Sequence, residues 1–121
     1  MRENTGLWSL PGGWVDVTCS VGENVVKEAR EEAGVDVRAE LVIAIQDRER
    51  HNRPAYAYKV CKIFVLCSLL GGGFRENIET TASGWFPLDG LPELAEEKNT
   101  REQVALCFEA YHAECWKTLI E

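Results

Sequence analysis

The chain lacks the features that mark membrane-embedded, secreted or zinc-binding proteins. It contains no apolar run long enough to span a bilayer, and its first residues do not begin a signal peptide. Its five cysteines are odd in number and no two form a C-x-x-C pair, which argues against a disulfide framework and against a zinc knuckle. These absences predict a protein of the reducing cytoplasm that has no membrane partner.

Positive charge is also scarce. The chain has 13 Lys and Arg residues against 20 Asp and Glu residues, so its formal net charge is -7. Nucleic acid and anionic membranes repel a chain of this sign, and neither is expected as a partner. An anionic substrate would need local cations in order to approach. The length of 121 residues and the apolar content of 45% predict one globular domain over residues 1–121.

A helix is predicted soon after a double-glycine turn. Ser20 and Glu23 have the spacing of a capping box, which starts the helix near Val21. Gly34 is suited to end the helix in a left-handed C-cap. At roughly 100° per residue, three acids converge at the edge of the apolar face: Glu28, Glu31 and Glu32. Like charges at this spacing repel one another, so either water solvates them or a cation lies between them.

Further strands and a second helix are predicted around this segment. Four apolar or β-branched stretches are predicted strands: residues 7–10, 35–45, 55–70 and 84–88. Residues 46–54 are predicted to form a charged loop, and residues 71–73 a glycine turn. Asn99 or Thr100 is expected to cap a helix with an apolar stripe on Val104, Cys107, Phe108, Tyr111, Cys115 and Leu119. Strands alternating with two helices predict an α/β or α+β sandwich with a sheet between the helices.

Residues 13–35 resemble the Nudix box, G-x5-E-x7-R-E-U-x-E-E-x-G-U, in which U is apolar. Gly13 opens the pattern, and the stretch KEAREEAGV supplies its second half. The similarity extends to LWSLPGGW before the box and to IETTASGWFPLDGLP after it. The chain therefore resembles Nudix hydrolases, and within them a bacterial subgroup that acts on nucleoside diphosphates linked to another moiety, such as ADP-ribose or CDP-choline. The resemblance implies an α/β/α sandwich with a mixed β-sheet.

The resemblance also implies a chemistry and a set of ligands. The expected reaction is hydrolysis of a diphosphate bond, which gives a nucleoside monophosphate and a phosphorylated second product. Glu28, Glu31 and Glu32 are expected to hold Mg²⁺ or Mn²⁺, with the Gly13 carbonyl as an additional ligand. Carboxylates and substrate phosphates suit Mg²⁺, and bound metal lowers the pKa of coordinated water. The general base is expected to be either Glu28 or Glu79.

Substrate-binding residues are expected in the charged loop, where Arg50, His51 and Arg53 could hold a phosphate. A hydrated surface loop is an equally good interpretation of the same residues. Three aromatic residues could stack a nucleobase, although aromatics on strands more often belong to a core: Trp14, Tyr56 and Tyr58.

Two positions depart from the box. Cys19 stands where the pattern has its first glutamate, and Lys27 stands where it has arginine. Lysine keeps the charge but loses the planar fork that binds carboxylates with two hydrogen bonds. Asp16 and Glu23 are candidates to replace the missing acid. The departures leave a second hypothesis open, in which the chain is a weak or inactive Nudix module that binds a nucleotide or a protein.

The segment before the box is shorter than the resemblance leads us to expect. Only MRENTG precedes LWSLPGGW, so the sheet is expected to be N-terminally truncated and to lack its first strand. A sheet edge with unpaired backbone groups would result. A shortened chain, a wrongly placed start codon and a natural short form are all compatible with this. Pairing of two chains is the simplest physical remedy, and a homodimer is therefore predicted.

Overall fold

A computed structural model describes residues 1–3, 5–74 and 80–121. These residues form five strands and two helices in this order: β1 (Arg2–Glu3), α1 (Val21–Glu28), β2 (Val35–Asp47), β3 (Cys61–Gly72), β4 (Thr80–Ala82), α2 (Arg101–His112) and β5 (Leu119–Ile120). A π-helical turn, Ala29–Ala33, continues α1, and short 3-10 turns cover Arg48–Arg50 and Leu88–Gly90. No helix in the described part of the chain is long and apolar enough to cross a membrane.

The central sheet has the strand order β3-β2-β5. The long strands β2 and β3 pair antiparallel, with Ala44 opposite Phe64 and Asp47 opposite Cys61. The short strand β5 pairs parallel to β2, so the sheet is mixed, as predicted. β1 and β4 form a separate antiparallel pair.

The core lies around the middle of β2. Ile43 and Ala44 are neighbours in β2, and they are only 2% and 0% exposed. α1 packs against β2 and α2 packs against β3. The buried cluster consists of Ile43, Ala44, Phe64 and Ala110.

A buried polar network joins the loop after β2 to α2. Gln103 donates to the side-chain oxygens of Gln46 at 3.0 Å and Asn52 at 2.9 Å, and Asn52 donates back at 3.1 Å. Arg48 is 2% exposed and donates to the carbonyls of Pro54 and Glu97. Because buried polar groups need partners, this network fixes residues 48–54 against the domain.

The starts of both helices and the end of the first helical segment agree with the sequence predictions. Ser20 and Glu23 form a complete capping box, and Gly34 ends the helical segment at φ 74°. Thr100 caps α2 through a second capping box. The predicted apolar stripe is too long, because α2 ends at His112, before two of its members.

Two strand predictions are wrong, and a third predicted strand has different bounds. Residues 7–10 make only isolated bridges at Trp8, and β4 replaces the predicted strand at residues 84–88. In the latter segment Phe86 packs its ring on Trp8 at 4.8 Å rather than pairing its backbone in a sheet. β3 begins six residues later than predicted, because Tyr56 lies against Arg48, whose guanidinium is 3.3 Å from the ring centroid. β3 also continues through Gly72, so the predicted glycine turn begins later.

Lys62 provides a test of this packing through pH. Burial, together with the nearby charge of Arg48, lowers the pKa of Lys62 from 10.5 to about 8. Between pH 8 and 10.5 the unfolded chain then binds a proton that the folded chain has lost, so the contribution of Lys62 to stability rises with pH in that window. We expect wild type to gain on the order of 1–2 kcal/mol relative to Lys62→Met between pH 7 and 10.5, since solvent screens a partly exposed group. Urea unfolding of both proteins measures this gain, and a difference independent of pH would contradict it.

Candidate active site

The double-glycine turn lies directly on the helical segment that carries the glutamates. The Gly12 N–H donates to Glu32 Oε2 at 2.8 Å. A Cβ atom added at Gly13 would lie 3.1 Å from Glu28 Oε1, so the absence of a side chain there lets the Glu28 carboxylate approach the main chain. Two of the predicted site residues are thus positioned by the turn.

Asn24 fixes the rest of this loop, and the sequence analysis did not identify it. Its side chain, 3% exposed, accepts from the Asp16 N–H at 3.0 Å and donates to the Trp14 carbonyl at 3.3 Å. The signal that could have found it is an amide on the buried side of an otherwise apolar helix, where an unpaired polar group is costly. Asn24 therefore holds the loop to α1 by two hydrogen bonds.

The π-helical turn changes where the glutamates point. The Gly34 N–H contacts the carbonyls of both Ala29 and Arg30, so the backbone is wider here than in the continuous α-helix that the sequence analysis assumed. Glu32 is buried at 7% exposure, whereas the side chain of Glu31 is 58% exposed. Within the described residues, no group of three His, Cys, Asp or Glu is arranged to hold a metal. The metal-binding role of the glutamates thus stays a prediction.

A lysine ammonium lies among these acids. Lys27 Nζ is 3.9 Å from Glu28 Oε1, 4.0 Å from Glu31 Oε2 and 3.8 Å from Asp16 Oδ2. Of the two explanations that the sequence left for the crowded acids, a nearby cation is the one seen at Glu28 and Glu31.

The donor set fits a divalent cation in its chemistry. Carboxylate oxygens are the ligands that Mg²⁺ prefers, and two of them, on Glu28 and Glu31, already face one common positive charge. Gly13 has no side chain, and the Glu28 carboxylate lies beside the space that a Cβ would fill there. Coordination by several carboxylates would require a change in the side chains around Lys27, because its ammonium lies beside two of them.

A second lysine raises the positive charge near Glu32. Burial by itself would lower the pKa of Lys98, but its ion pair with Glu3 and the negative charge of Glu32 outweigh burial and raise the pKa. Lys98 therefore stays protonated at neutral pH and offsets part of the local negative charge.

The predicted substrate-binding residues lie beyond the end of β2 that is far from Gly34. Arg50 is 3.8 Å from Asp47, and His51 Nε2 is 2.7 Å from Glu121 Oε2. Arg53 donates to main-chain carbonyls of its own loop. The hydrogen bond from His51 lowers the pKa of Glu121. These residues form a local network with the chain terminus, and their role toward a substrate stays a prediction.

The remaining candidates have mixed outcomes. Glu79, the alternative general base, lies outside the described residues. Cys19 has a free thiol, and its main-chain N–H donates to the Asp16 carbonyl at 2.9 Å. Trp14 and Tyr58 are 75% and 81% exposed, so the interpretation of these aromatics as core residues is wrong.

A family model described as NUDIX domain matches residues 1–107. The Bacillus subtilis strain 168 protein YjhB, provisionally named an ADP-ribose pyrophosphatase, is 38% identical over 115 residues, which is 95% of this chain and 55% of YjhB. The ADP-ribose pyrophosphatase of Methanocaldococcus jannaschii is 28% identical over 74% of this chain and 52% of its own length. The chain thus spans about half the length of the curated relatives it matches.

Solved structures show the same fold. An ADP-ribose pyrophosphatase from Streptococcus suis 89-1591 superposes with a TM-score of 0.92 at 56% identity, over 99% of this chain and 86% of that one. A UDP-X diphosphatase superposes with a TM-score of 0.86 at 34% identity, over 98% of this chain and 58% of that one. These similarities confirm the predicted α/β architecture.

Asn24 is the residue whose removal tests how the loop is held. In Asn24→Ala the Asp16 N–H and the Trp14 carbonyl lose their partner, and we expect the free energy of unfolding to fall by about 2 kcal/mol. Hydrogen exchange at the Asp16 amide should accelerate in the folded protein. Glu23→Gln is the control, because glutamine also completes a capping box and should change stability by less than about 0.5 kcal/mol. Unchanged exchange at Asp16 would contradict the assignment.

Proposed function

Because the chain belongs to the Nudix family, we propose that it hydrolyses the diphosphate bond of a nucleoside diphosphate linked to another group, with the help of a divalent cation. ADP-ribose is the first candidate substrate, since both YjhB and the Streptococcus suis protein carry names for that activity. A nucleoside diphosphate of the UDP-X or CDP-choline type is the next. The observation that carries the proposal is the contact of Glu28 and Glu32 with the double-glycine turn inside the matched region.

The cation is proposed to be Mg²⁺ or Mn²⁺, held by Glu28, Glu31 and Glu32 with the Gly13 carbonyl. When bound, such an ion neutralises phosphate charge and lowers the pKa of a coordinated water. The residues of the chain then have distinct tasks. Glu32 is fixed by the Gly12 N–H, and Glu28 is the proposed base because its side chain is 14% exposed and lies against the turn. Glu79 remains the alternative base.

Substrate recognition is proposed to use groups on both sides of this cluster. Trp14 follows Gly13, its backbone is held by Asn24 and its side chain is exposed, so it can offer a flat face to a nucleobase. Arg50, His51 and Arg53 are proposed to bind the terminal phosphate or sugar. Of these, Arg50 has a side chain that is 69% exposed.

Assembly and location are also proposals. We propose a homodimer in the cytoplasm, and the five free cysteines support the reducing compartment. Solution mass by light scattering tests the dimer directly, and a single monomeric species at micromolar concentration would exclude it.

The position of Lys27 favours a second function, that of a binding module without turnover. Lys27 lies within 4.0 Å of both Glu28 and Glu31, where a positive charge opposes the entry of another cation. A nucleotide-binding module without turnover would tolerate this arrangement. The Cys19 departure points in the same direction.

A substrate panel separates the two functions. We expect release of nucleoside monophosphate from ADP-ribose, CDP-choline or a UDP-sugar in the presence of Mg²⁺ or Mn²⁺, and none after chelation of the metal. The double variant Glu31→Gln/Glu32→Gln should lose activity by about 100-fold or more while remaining folded, since it removes two proposed ligands. Binding of nucleotide without any turnover would establish the binding module instead. Undiminished turnover in the double variant would remove both glutamates from the mechanism.

The two glycines give a matched pair of variants. Gly13→Ala places a methyl group about 3.1 Å from Glu28 Oε1, whereas nothing lies within 4 Å of a Cβ at Gly12. We expect Gly13→Ala to displace the Glu28 carboxylate and to lower kcat by about tenfold or more, and Gly12→Ala to stay within about twofold. Steady-state kinetics on the best panel substrate measures both. Equal effects of the two substitutions would show that the approach of Glu28 to the turn is not needed.

A further inference from the structure

Three residues compete for the position of the acid that the Nudix box has and this chain lacks. Cys19 occupies the position itself, but its side chain has no carboxylate. Glu23 is already used, because its carboxylate accepts from the Ser20 N–H at 2.9 Å in the capping box. Asp16 remains, and it lies in the loop that Asn24 fixes.

The carboxylate of Asp16 is held in a defined orientation. Its Oδ1 accepts from the Thr18 N–H at 3.1 Å and from the Thr18 hydroxyl at 3.0 Å, while its own N–H is bound by Asn24. The other oxygen, Oδ2, faces Lys27 Nζ at 3.8 Å. Asp16 thus approaches the lysine from the loop side, opposite the helix that carries Glu28 and Glu31.

Without Asp16, the position of the Lys27 ammonium would be poorly defined. It contacts Glu31 one turn later and Glu28 beside it, both on its own helical segment. The side chain of Lys27 is 38% exposed, and a flexible lysine side chain adopts many rotamers, so these two pairs alone do not fix the ammonium. An acid fixed from a second segment restricts the ammonium to the space between the loop and the glutamates.

We propose that Asp16 replaces the missing acid of the box, and that the Asp16–Lys27 pair positions the carboxylates of Glu28 and Glu31. The inference rests on the proposed function, since it assigns a positioning role within the same site. Asp16 and Lys27 are positioning residues and need not contact the substrate. Their loss should therefore affect turnover and metal affinity while leaving the fold intact.

The first experiment compares Asp16→Asn with Glu23→Gln in the full chain. Removal of residues that orient metal ligands typically costs about 10–100-fold, so Asp16→Asn should lower kcat and weaken Mn²⁺ binding by about tenfold, with KM changed by less than about twofold. Mn²⁺ binding is measured by electron paramagnetic resonance without substrate. Glu23→Gln should stay within about twofold of wild type in both measurements, and the melting temperatures of all three proteins should agree.

The second experiment tests the pairing. Lys27→Met should lower kcat and change the affinity for Mn²⁺. In the double variant Asp16→Asn/Lys27→Met, kcat should fall little further than in the more affected single variant, because the two residues act as a unit. The substitution Cys19→Glu restores the acid of the box. It should return Asp16→Asn to within about threefold of wild-type kcat while changing wild type itself by less than twofold.

The outcomes are distinguishable from failure of the proposed function. If the wild type binds Mn²⁺ with the expected dependence on Asp16 but hydrolyses no panel substrate, the hydrolase proposal fails and the positioning role stands. If hydrolysis is present but Asp16→Asn behaves like Glu23→Gln, the positioning role is overturned. Additive losses in the double variant, or no rescue by Cys19→Glu, would also overturn it.

Discussion

The site depends on one contact, that of the double-glycine turn with the helical segment behind it. The Gly12 N–H fixes Glu32 at 2.8 Å, and the bare Cα of Gly13 lets Glu28 lie against the main chain. On an isolated helix these carboxylates would turn into water, because like charges at this spacing repel. Docking of the turn removes that freedom for two of the three acids. The proposed metal site and the proposed general base both depend on this docking of the turn.

Charge compensation is the second constraint. A chain of net charge -7 presents an unfavourable field to an anionic substrate unless cations lie near the reacting bond. Here Lys27 lies among Glu28, Glu31 and Asp16, and the charge of Glu32 helps to keep Lys98 protonated. The cluster is therefore less negative than its carboxylates alone suggest.

Prediction from sequence succeeded where the cause is local and failed where it is not. The start of α1 and its end at Gly34 follow from capping signals within a few residues, and the structure has both. The strand predicted at residues 84–88 is absent because Phe86 finds a partner ring on Trp8, far away in the sequence. The late start of β3 has a similar cause, since Tyr56 packs on Arg48 instead of continuing the strand. The π-helical turn left no recognisable mark in the sequence pattern.

The sequence by itself determined the membership in the Nudix family, the starts of both helices, the end of the first helical segment and the identity of the clustered acids. The tertiary structure decided which acid faces which group: Glu32 turns to Gly12, and Asp16 turns to Lys27. The physical reason is the range of the interactions. Capping and helical spacing act between residues one turn apart, whereas the loop is fixed by hydrogen bonds that join residues 8, 10 and 20 positions apart. Such contacts exist only once the turn has docked on the helix.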